Sequence, residues 1–276
     1  MKHIYVNLKR FDVPRSMGGV NEIAEISDWG GFIIDQVQDQ LTPYGNIADF
    51  TFFLPEMHLL SAIRKRNMDG IAEIGCQGVY RQDVRVGGNF GAFTTSLPAA
   101  AAKAAGCNKV LIGHCEERTK LLGILEEAQA ADEEAVNRIL NCEVRAAVEK
   151  GMDVLYCIGE KSEQMDSWKE VLRGQLLTGL LGIPLEKIVI AYEPVWSIGP
   201  GKVPADKEYI TKIARFIKET IPGIEVVYGG GLKQENAAML ASIEEIDGGL
   251  IALTRFSGDI GFYPDEYLEI VQLYLT

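Results

Sequence analysis

A chain of 276 residues, 47% hydrophobic and 24% charged, is long enough to bury a large core and has the composition of a soluble globular protein. Its formal net charge of −12 argues against a nucleic-acid backbone or an anionic membrane as partner. Five Cys without Cys-x-x-Cys spacing point to reduced thiols in a cytoplasmic protein, the apolar run in Met1–Asn7 is too short for a signal peptide, and no run nears membrane-spanning length.

In chain order, short apolar runs at Ile4–Leu8, Phe50–Leu54, Ile71–Cys76, Lys109–Gly113, Val154–Ile158, Ile188–Tyr192, Glu225–Tyr228 and Gly249–Leu253 read as strands. Most are apolar at successive positions, as in parallel strands covered on both faces. Helix-like stretches lie between them. Pro98–Gly106 is Ala-rich and ends in Gly. Asp132–Gly151 opens with acidic residues suited to a helix N-terminus and ends in Lys150-Gly151. Pro204–Ile221 carries Ile210, Ile213, Phe216 and Ile217 at helical spacing, and Pro264–Tyr274 reads as a closing helix. Strand-then-helix units in succession predict an α/β fold, a (β/α)8 barrel forming a single domain over 1–276. An open doubly wound sheet is the alternative. From Arg10 to about Gly45 the chain is richer in Gly and turn residues than one helix requires. Its first part, Arg10–Gly19, is expected to border the pocket, with Arg10 or Arg15 contributing to binding.

A barrel carries its chemistry just after each strand, on the C-terminal face. Asn7 and Lys9 follow the first strand, Gln77 the third, His114 and Glu116 the fourth, and Glu160 the fifth. Glu193 ends the sixth strand, where Pro194, lacking an N–H for the ladder, stops it. A stiff, Gly-bounded segment follows. A carboxylate joined directly to a loop able to close fits a general base under a lid. His114 precedes Glu116, Glu117 and Thr119, which signal a helix start. Its imidazole is expected to face that helix N-terminus, whose positive end lowers its pKa and keeps it neutral. A neutral imidazole can donate to a carbonyl and return a proton to the developing enediolate. Lys9 can act as an electrostatic clamp on an anionic substrate, with Glu116 holding it. Gly229-Gly230-Gly231 can form an anion-binding nest, and Gly199 and Gly201 can supply further N–H groups. No Walker-type lysine motif and no Gly-x-Gly-x-x-Gly follows a strand. The three His are not paired at ligand spacing. Neither a nucleotide nor a His-built metal site is expected.

Taken together, Asn7-x-Lys9, Gly91-Ala92-Phe93-Thr94, Ile112-Gly113-His114-x-Glu116, Cys157-Ile158-Gly159-Glu160, Ala191–Lys202, Tyr228-Gly229-Gly230 and Asp247-Gly248 resemble triosephosphate isomerase, in the right order over nearly the whole chain. The family is the standard example of a Glu base, a neutral His at a helix N-terminus and loop closure, so the resemblance implies that division of roles. It implies a cofactor-free TIM barrel acting on a triose phosphate. Glu193 would be the base and His114 the electrophile and proton shuttle. Lys9 and Asn7 would polarise the substrate, and Glu116 would orient Lys9. Pro194–Lys202 would be the lid, latched by Tyr228, and Gly199, Gly230 and Gly231 would offer N–H groups to the phosphate. Thr94 matches the loop through which the family forms homodimers.

The chain also departs from the family pattern. Cys115 stands where Ser is usual, Glu117 where Arg is usual, and Gly231 where Ser is usual. Ala252-Leu253 replace paired glycines at the end of the eighth strand, and their Cβ atoms are expected to crowd a phosphate. Arg255, two residues on, is expected to compensate with a forked cationic donor. This altered end keeps a four-carbon ketose phosphate open as substrate. Two other readings remain. One is a glycosidase-like barrel using Glu160 and Glu193 as a carboxylate pair; the other is a non-catalytic relative that binds a metabolite.

Overall fold

All strand pairs of the computed structural model, which describes residues 1–199 and 202–276, are parallel. In chain order they are β1 (Lys2–Asn7), β2 (Ala48–Leu54), β3 (Ala72–Cys76), β4 (Lys109–Ile112), β5 (Asp153–Ile158), β6 (Ile188–Tyr192), β7 (Glu225–Tyr228) and β8 (Gly248–Ile251). They follow one another round a closed barrel, and β8 returns to β1 by pairing Ile4 with Gly249 and Val6 with Ile251. Helices cover the outside: α1 (Trp29–Leu41), α2 (Glu56–Lys65), α3 (Ala99–Ala105), α4 (Cys115–Glu127), α5 (Glu133–Glu149), α6 (Trp168–Gly179), α7 (Lys207–Thr220), α8 (Ala237–Ala241) and α9 (Pro264–Leu275). The expected (β/α)8 TIM barrel is the fold. None of these helices is long and apolar enough to cross a membrane.

The barrel explains why its strands are apolar at successive positions. Side chains alternate between two faces, and each face is buried in its own core. Tyr5, Phe53, Leu111, Leu155, Cys157, Ala191, Val227 and Leu250 fill the interior. Their neighbours, such as Val154, Tyr156 and Ile158 on β5, pack outward with the helices. Phe53 reaches across only because Gly75 of β3 has no side chain; a Cβ there would lie 2.5 Å from the Phe53 ring. The expected helix over Asp132–Gly151 forms as α5. Asp132 caps it, its carboxylate accepting the Glu134 N–H at 2.9 Å.

Six of the eight strands differ from expectation by one or two residues at a bound, and one of these shifts bears on the site. β8 ends at Ile251 rather than Leu253. Beyond it the backbone turns into a hairpin, where the N–H groups of Thr254 and Arg255 each donate to the Gly261 carbonyl at 3.1 Å. Ala252 and Leu253 therefore belong to the connection. The long first connection occupies residues 8–28, before α1. It is tied internally, with the Asn21 amide donating to the carbonyls of Asp12 and Ala24.

The N-terminal mouth of the barrel holds a charged plug. His3 Nδ1 lies 2.5 Å from Asp49 Oδ1, and His3 Nε2 lies 3.1 Å from Glu225 Oε2. Lys109 also donates to Asp49 and stands 5.1 Å above the Tyr5 ring. Burial works to lower the His3 pKa, but Asp49 and Glu225 outweigh it and raise it above the ordinary value. Burial likewise works to raise the Asp49 carboxyl, and His3 with Lys109 outweigh it and hold its pKa low. Stabilisation by His3 is therefore complete below about pH 6.5, its unfolded value, and is lost as pH rises through the raised folded value. Stabilisation by Asp49 is present above about pH 3.9 and is lost as pH falls through the lowered folded value. We predict that His3→Gln lowers the melting temperature most in mildly acidic buffer and least in alkaline buffer. Thermal melts at both pH values check this, and an equal loss at both would refute it.

Candidate active site

The C-terminal ends of β1, β4 and β6 bring Asn7, Lys9, His114, Glu116 and Glu193 together. Asn7 is the last residue of β1 and is buried. Its Oδ1 accepts the Lys9 N–H at 3.1 Å and the Gln77 amide at 3.2 Å. Lys9 itself has φ +41°, a left-handed conformation that Lys seldom adopts. The Gln77 amide also reaches the Lys9 and Phe53 carbonyls, at 3.2 and 3.1 Å, so Gln77 fixes this strained turn to β2 and β3. Gln77 was visible in the sequence as a polar residue after the third strand, but nothing there pointed to this holding role. The Lys9 Nζ donates to Glu116 Oε1 at 2.8 Å. Burial works to raise the Glu116 carboxyl, and the hydrogen bond and charge of Lys9 outweigh it, leaving its pKa low.

His114 caps α4. Its Nδ1 accepts the Glu116 N–H at 3.3 Å, which leaves the ring proton on Nε2. That Nε2 lies 3.0 Å from Glu193 Oε1. Glu193 is 1% exposed. The Cys115 N–H, also at the start of α4, donates to Glu193 Oε2 at 2.9 Å. Glu193 Oε1 has no aligned donor. One oxygen is thus anchored at a helix N-terminus and the other is a buried, unused acceptor. Burial raises the Glu193 pKa above the ordinary value, although His114, the Cys115 N–H and Lys9 each pull it down. Gly229 of the next loop makes room for this side chain, since a Cβ there would lie 2.8 Å from Glu193 Cγ.

A cavity of about 360 Å³ opens beside this group, lined by Asn7, Lys9, Arg10, Phe11, Gln77, Leu111, His114, Glu116 and Glu117. Arg10 therefore does border the cavity, although its fork is engaged with Asp12, at 3.0 and 2.7 Å. Arg15 does not. It is held by Glu22 and Asp259, each at 2.8 Å, and clamps the first connection to the β8–α9 hairpin.

The segment after Glu193 forms a turn of 3-10 helix, Val195–Ser197. The Trp196 indole donates to Glu160 Oε1 at 2.8 Å, and the same oxygen accepts from the Tyr192 and Tyr209 hydroxyls. Glu160 is fully buried. It anchors the base of the presumed lid and is not a second carboxylate on an open cleft, which removes the glycosidase-like pair. Tyr228 is buried, and a Cβ on Gly230 would lie 2.3 Å from its hydroxyl. Burial pushes that hydroxyl up to about 12 while Ser197, in the segment after Glu193, pulls the other way. Gly199 has φ +117°. Gly201 lies outside the described residues.

Gly230 and Gly231 follow β7, and among the described residues nothing accepts from their N–H groups. Ala252 and Leu253 are half-buried just past β8. Arg255 corrects an expectation. Its Nε and Nη2 both donate to Glu266 Oε1, at 2.8 and 2.5 Å, and its guanidinium stacks 4.0 Å from the Tyr263 ring. Its fork is spent within the β8–α9 hairpin, because Glu266 on the first turn of α9 is the nearer anion. The structure does not bring it to the group around Lys9 and His114.

Glu117 takes a role that its charge alone did not suggest. Its Oε2 accepts the Gly113 N–H at 2.6 Å, fixing the turn that carries His114. Half-buried itself, it stands beside the buried Glu143 carboxyl of α5. Burial, then the adjacent Glu117 charge, push the Glu143 carboxyl up to about 9, so the pair holds a proton at neutral pH. Arg118 braces the same turn by donating to the Gly113 and Cys157 carbonyls. No sequence spacing signalled Glu143 or Arg118, since both act through partners on other elements.

The chain is similar to known proteins over most of its length. The family model described as Triosephosphate isomerase matches residues 32–271. Triosephosphate isomerase of Geobacter metallireducens is 34% identical over 218 residues, covering 74% of this chain and 80% of the relative. That of Chlorobium chlorochromatii is 35% identical over 195 residues, covering 67% and 70%, and that of Chlamydia trachomatis is 31% identical over 234 residues, covering 80% and 76%. In fold, the chain is similar to the crystal structure of triosephosphate isomerase from Bartonella henselae, with a TM-score of 0.73 at 24% identity, covering 100% of this chain and 99% of that one.

The Glu117–Glu143 pair has a measurable consequence. A carboxyl whose folded pKa is raised costs stability as pH climbs from its unfolded value towards its folded one. Glu143→Gln should therefore stabilise the protein near pH 9 and change little near pH 5. Relief of roughly 1 kcal/mol corresponds to about 2–4 °C in melting temperature for a chain of this size class. A melting-temperature change that is the same at both pH values would show that the pair holds no such proton.

Proposed function

We infer that this chain, which belongs to the triosephosphate isomerase family, interconverts dihydroxyacetone phosphate and glyceraldehyde 3-phosphate, with Glu193 as the base that moves a proton between adjacent carbons. One observation carries the assignment. Glu193 Oε1 is buried without a donor, 3.0 Å from the proton-bearing Nε2 of His114, while Oε2 is anchored by the Cys115 N–H. A base held that way is desolvated and oriented before substrate arrives.

The other roles follow from chemistry at named atoms. Glu193 removes a proton from the carbon next to the substrate carbonyl and returns it to the neighbouring carbon. The His114 Nε2–H donates to the carbonyl oxygen as charge develops there, and the ring recovers a proton from the adjacent hydroxyl. The Lys9 ammonium, set by Glu116, and the Asn7 amide group stabilise the enediolate. The lid over Glu193, with Tyr228 against Ser197, excludes water from an intermediate that would otherwise lose its phosphate. The unused N–H groups of Gly230 and Gly231, together with Gly199, receive the phosphate, with Ala252 and Leu253 shaping that end. No cofactor takes part in these steps.

The protein acts as a homodimer through the loop around Thr94. Supporting this, Val86 and Phe90 on the same loop are 109% and 87% exposed, apolar side chains that a partner surface would cover. Its cysteines, all free, suit the cytoplasm. Sedimentation equilibrium of Thr94→Arg should report a monomer where the unaltered chain reports a dimer; a monomer in both would remove the assembly.

The catalytic reading is tested by kcat/KM for glyceraldehyde 3-phosphate, measured beside D- and L-erythrulose phosphates in metal-free buffer. The triose value should approach the diffusional ceiling of ~10⁸ M⁻¹ s⁻¹. Glu193→Gln should lower kcat by roughly 10³-fold. Activity should fall with falling pH through the raised Glu193 value, so its acid limb should lie above the ordinary Glu value of about 4.3. Turnover that survives Glu193→Gln would overturn the assignment.

A further inference from the structure

Cys115 stands where the family usually has Ser, and the fold sets its thiol against the groups assigned to proton transfer. A Cys115 Sγ, a His114 ring nitrogen and a Glu193 carboxylate oxygen lie within 4.8 Å of one another. His114 and Cys115 are adjacent in sequence, whereas Glu193 arrives from β6. The Glu116 N–H is bonded to His114 Nδ1, so Nε2 carries the ring proton; to ligate an ion through Nε2 the ring passes that proton to Nδ1, which gives up the Glu116 N–H and faces Glu116 Oε2, 3.6 Å away. Glu193 Oε1 is buried and without a donor, at 3.0 Å from that Nε2. We propose that His114 Nε2, Cys115 Sγ and Glu193 form a site for a thiophilic divalent cation of the Zn²⁺ class, and that its occupancy shuts the enzyme off in competition with substrate.

Nitrogen, sulfur and oxygen donors are the set such a cation takes, with a fourth position left for water. Bonds of roughly 2.0–2.3 Å place tetrahedral ligands about 3.3–3.8 Å apart. Closing this cluster on an ion therefore needs movements of about 1 Å, within reach of side-chain rotation. A cation also supplies what Glu193 Oε1 lacks, a positive partner inside a buried site. Burial, with the charge of Glu193, holds Cys115 as the thiol. Binding forms the sulfur–metal and nitrogen–metal bonds: the S–H proton is released to solvent and the Nε2 proton passes through solvent to Nδ1, so one proton is lost per ion bound and occupancy strengthens as pH rises. The cluster is reached from two sides. His114 lines the cavity of about 360 Å³, and Cys115 lines another of about 310 Å³ with Gly159 and Val195. A hydroxyl at position 115 would be a far poorer ligand for a soft cation, so the sensitivity follows from this chain's own departure.

The binding claim stands on geometry; the inhibition claim rests on the proton-transfer roles of Glu193 and His114. The experiment separates them. The whole protein, first assayed in metal-free buffer, is titrated with Co²⁺ as a spectroscopic probe and with Zn²⁺, following the near-ultraviolet absorption of a thiolate–cobalt bond and the isomerase rate together. One equivalent should bring up the band and remove activity, substrate should oppose both, and a chelator should restore the rate. In Cys115→Ser, and again in Cys115→Ala, the band should vanish and the inhibition, relative to each variant's own metal-free rate, should weaken at least tenfold, the order expected when a metal site is damaged (roughly 10–100-fold). Cys142→Ser, at the exposed cysteine, should behave as the unaltered chain. Absence of the band in the unaltered protein, or its persistence in Cys115→Ser, overturns the site. A band with undiminished turnover overturns the catalytic assignment instead.

Discussion

Pairing of β8 with β1, through Ile4–Gly249 and Val6–Ile251, closes the sheet and sets where every strand ends. With the barrel shut, the residues at or just past the ends of β1, β4 and β6 meet at one volume. Asn7, His114 and Glu193, 186 positions apart at the extremes, become neighbours without any long side chain reaching across. The interior layer of Tyr5, Phe53, Leu111, Leu155 and Leu250 is close-packed, so the strand ends cannot slide relative to one another. Rigidity at the floor is what permits distances near 3 Å at the rim.

On that frame the state of Glu193 is set by two opposing effects. Burial makes the Glu193 carboxylate reluctant to hold its charge, and the Cys115 N–H at the α4 N-terminus makes the charge tolerable. The same helix start supplies the Glu116 N–H that fixes the His114 tautomer. A single helix N-terminus therefore orients both Glu193 and His114, and backbone groups do the orienting, so these contacts do not depend on the side chain at 115.

The departures fall into separate places and have separate physical meanings. Glu117 holds the Gly113 N–H, and its charge together with burial pushes the Glu143 carboxyl up, so the turn before His114 keeps an anchor. The long first connection is fastened twice in its first half. Asp12 accepts from Arg10 and faces His58 at 3.0 Å, while Arg15 reaches Asp259 on the β8–α9 hairpin. Arg255 closes the same hairpin onto Glu266. These ties lie in the first connection and the β8–α9 hairpin, while Asn7, His114 and Glu193 keep a compact arrangement.

The sequence by itself determined the barrel and the identity of the groups at its rim. Apolar runs alternating with helical stretches dictate βα units, and Pro194 after Glu193 ends β6 where the ladder loses its donor. It also determined the α4 start behind His114, because capping chemistry is local. Tertiary structure decided which charges meet. Arg255 reads as a free fork in sequence, but Glu266, eleven residues on, captures it once the hairpin folds. Gln77 reads as one polar residue among several, and only the closed barrel sets its amide on Asn7, Lys9 and Phe53. Glu143 and Cys115 gain their meaning from Glu117 and Glu193, partners 26 and 78 positions away. Backbone preferences act over a few residues and are written locally, whereas burial and charge pairing depend on distances through space that no spacing along the chain encodes.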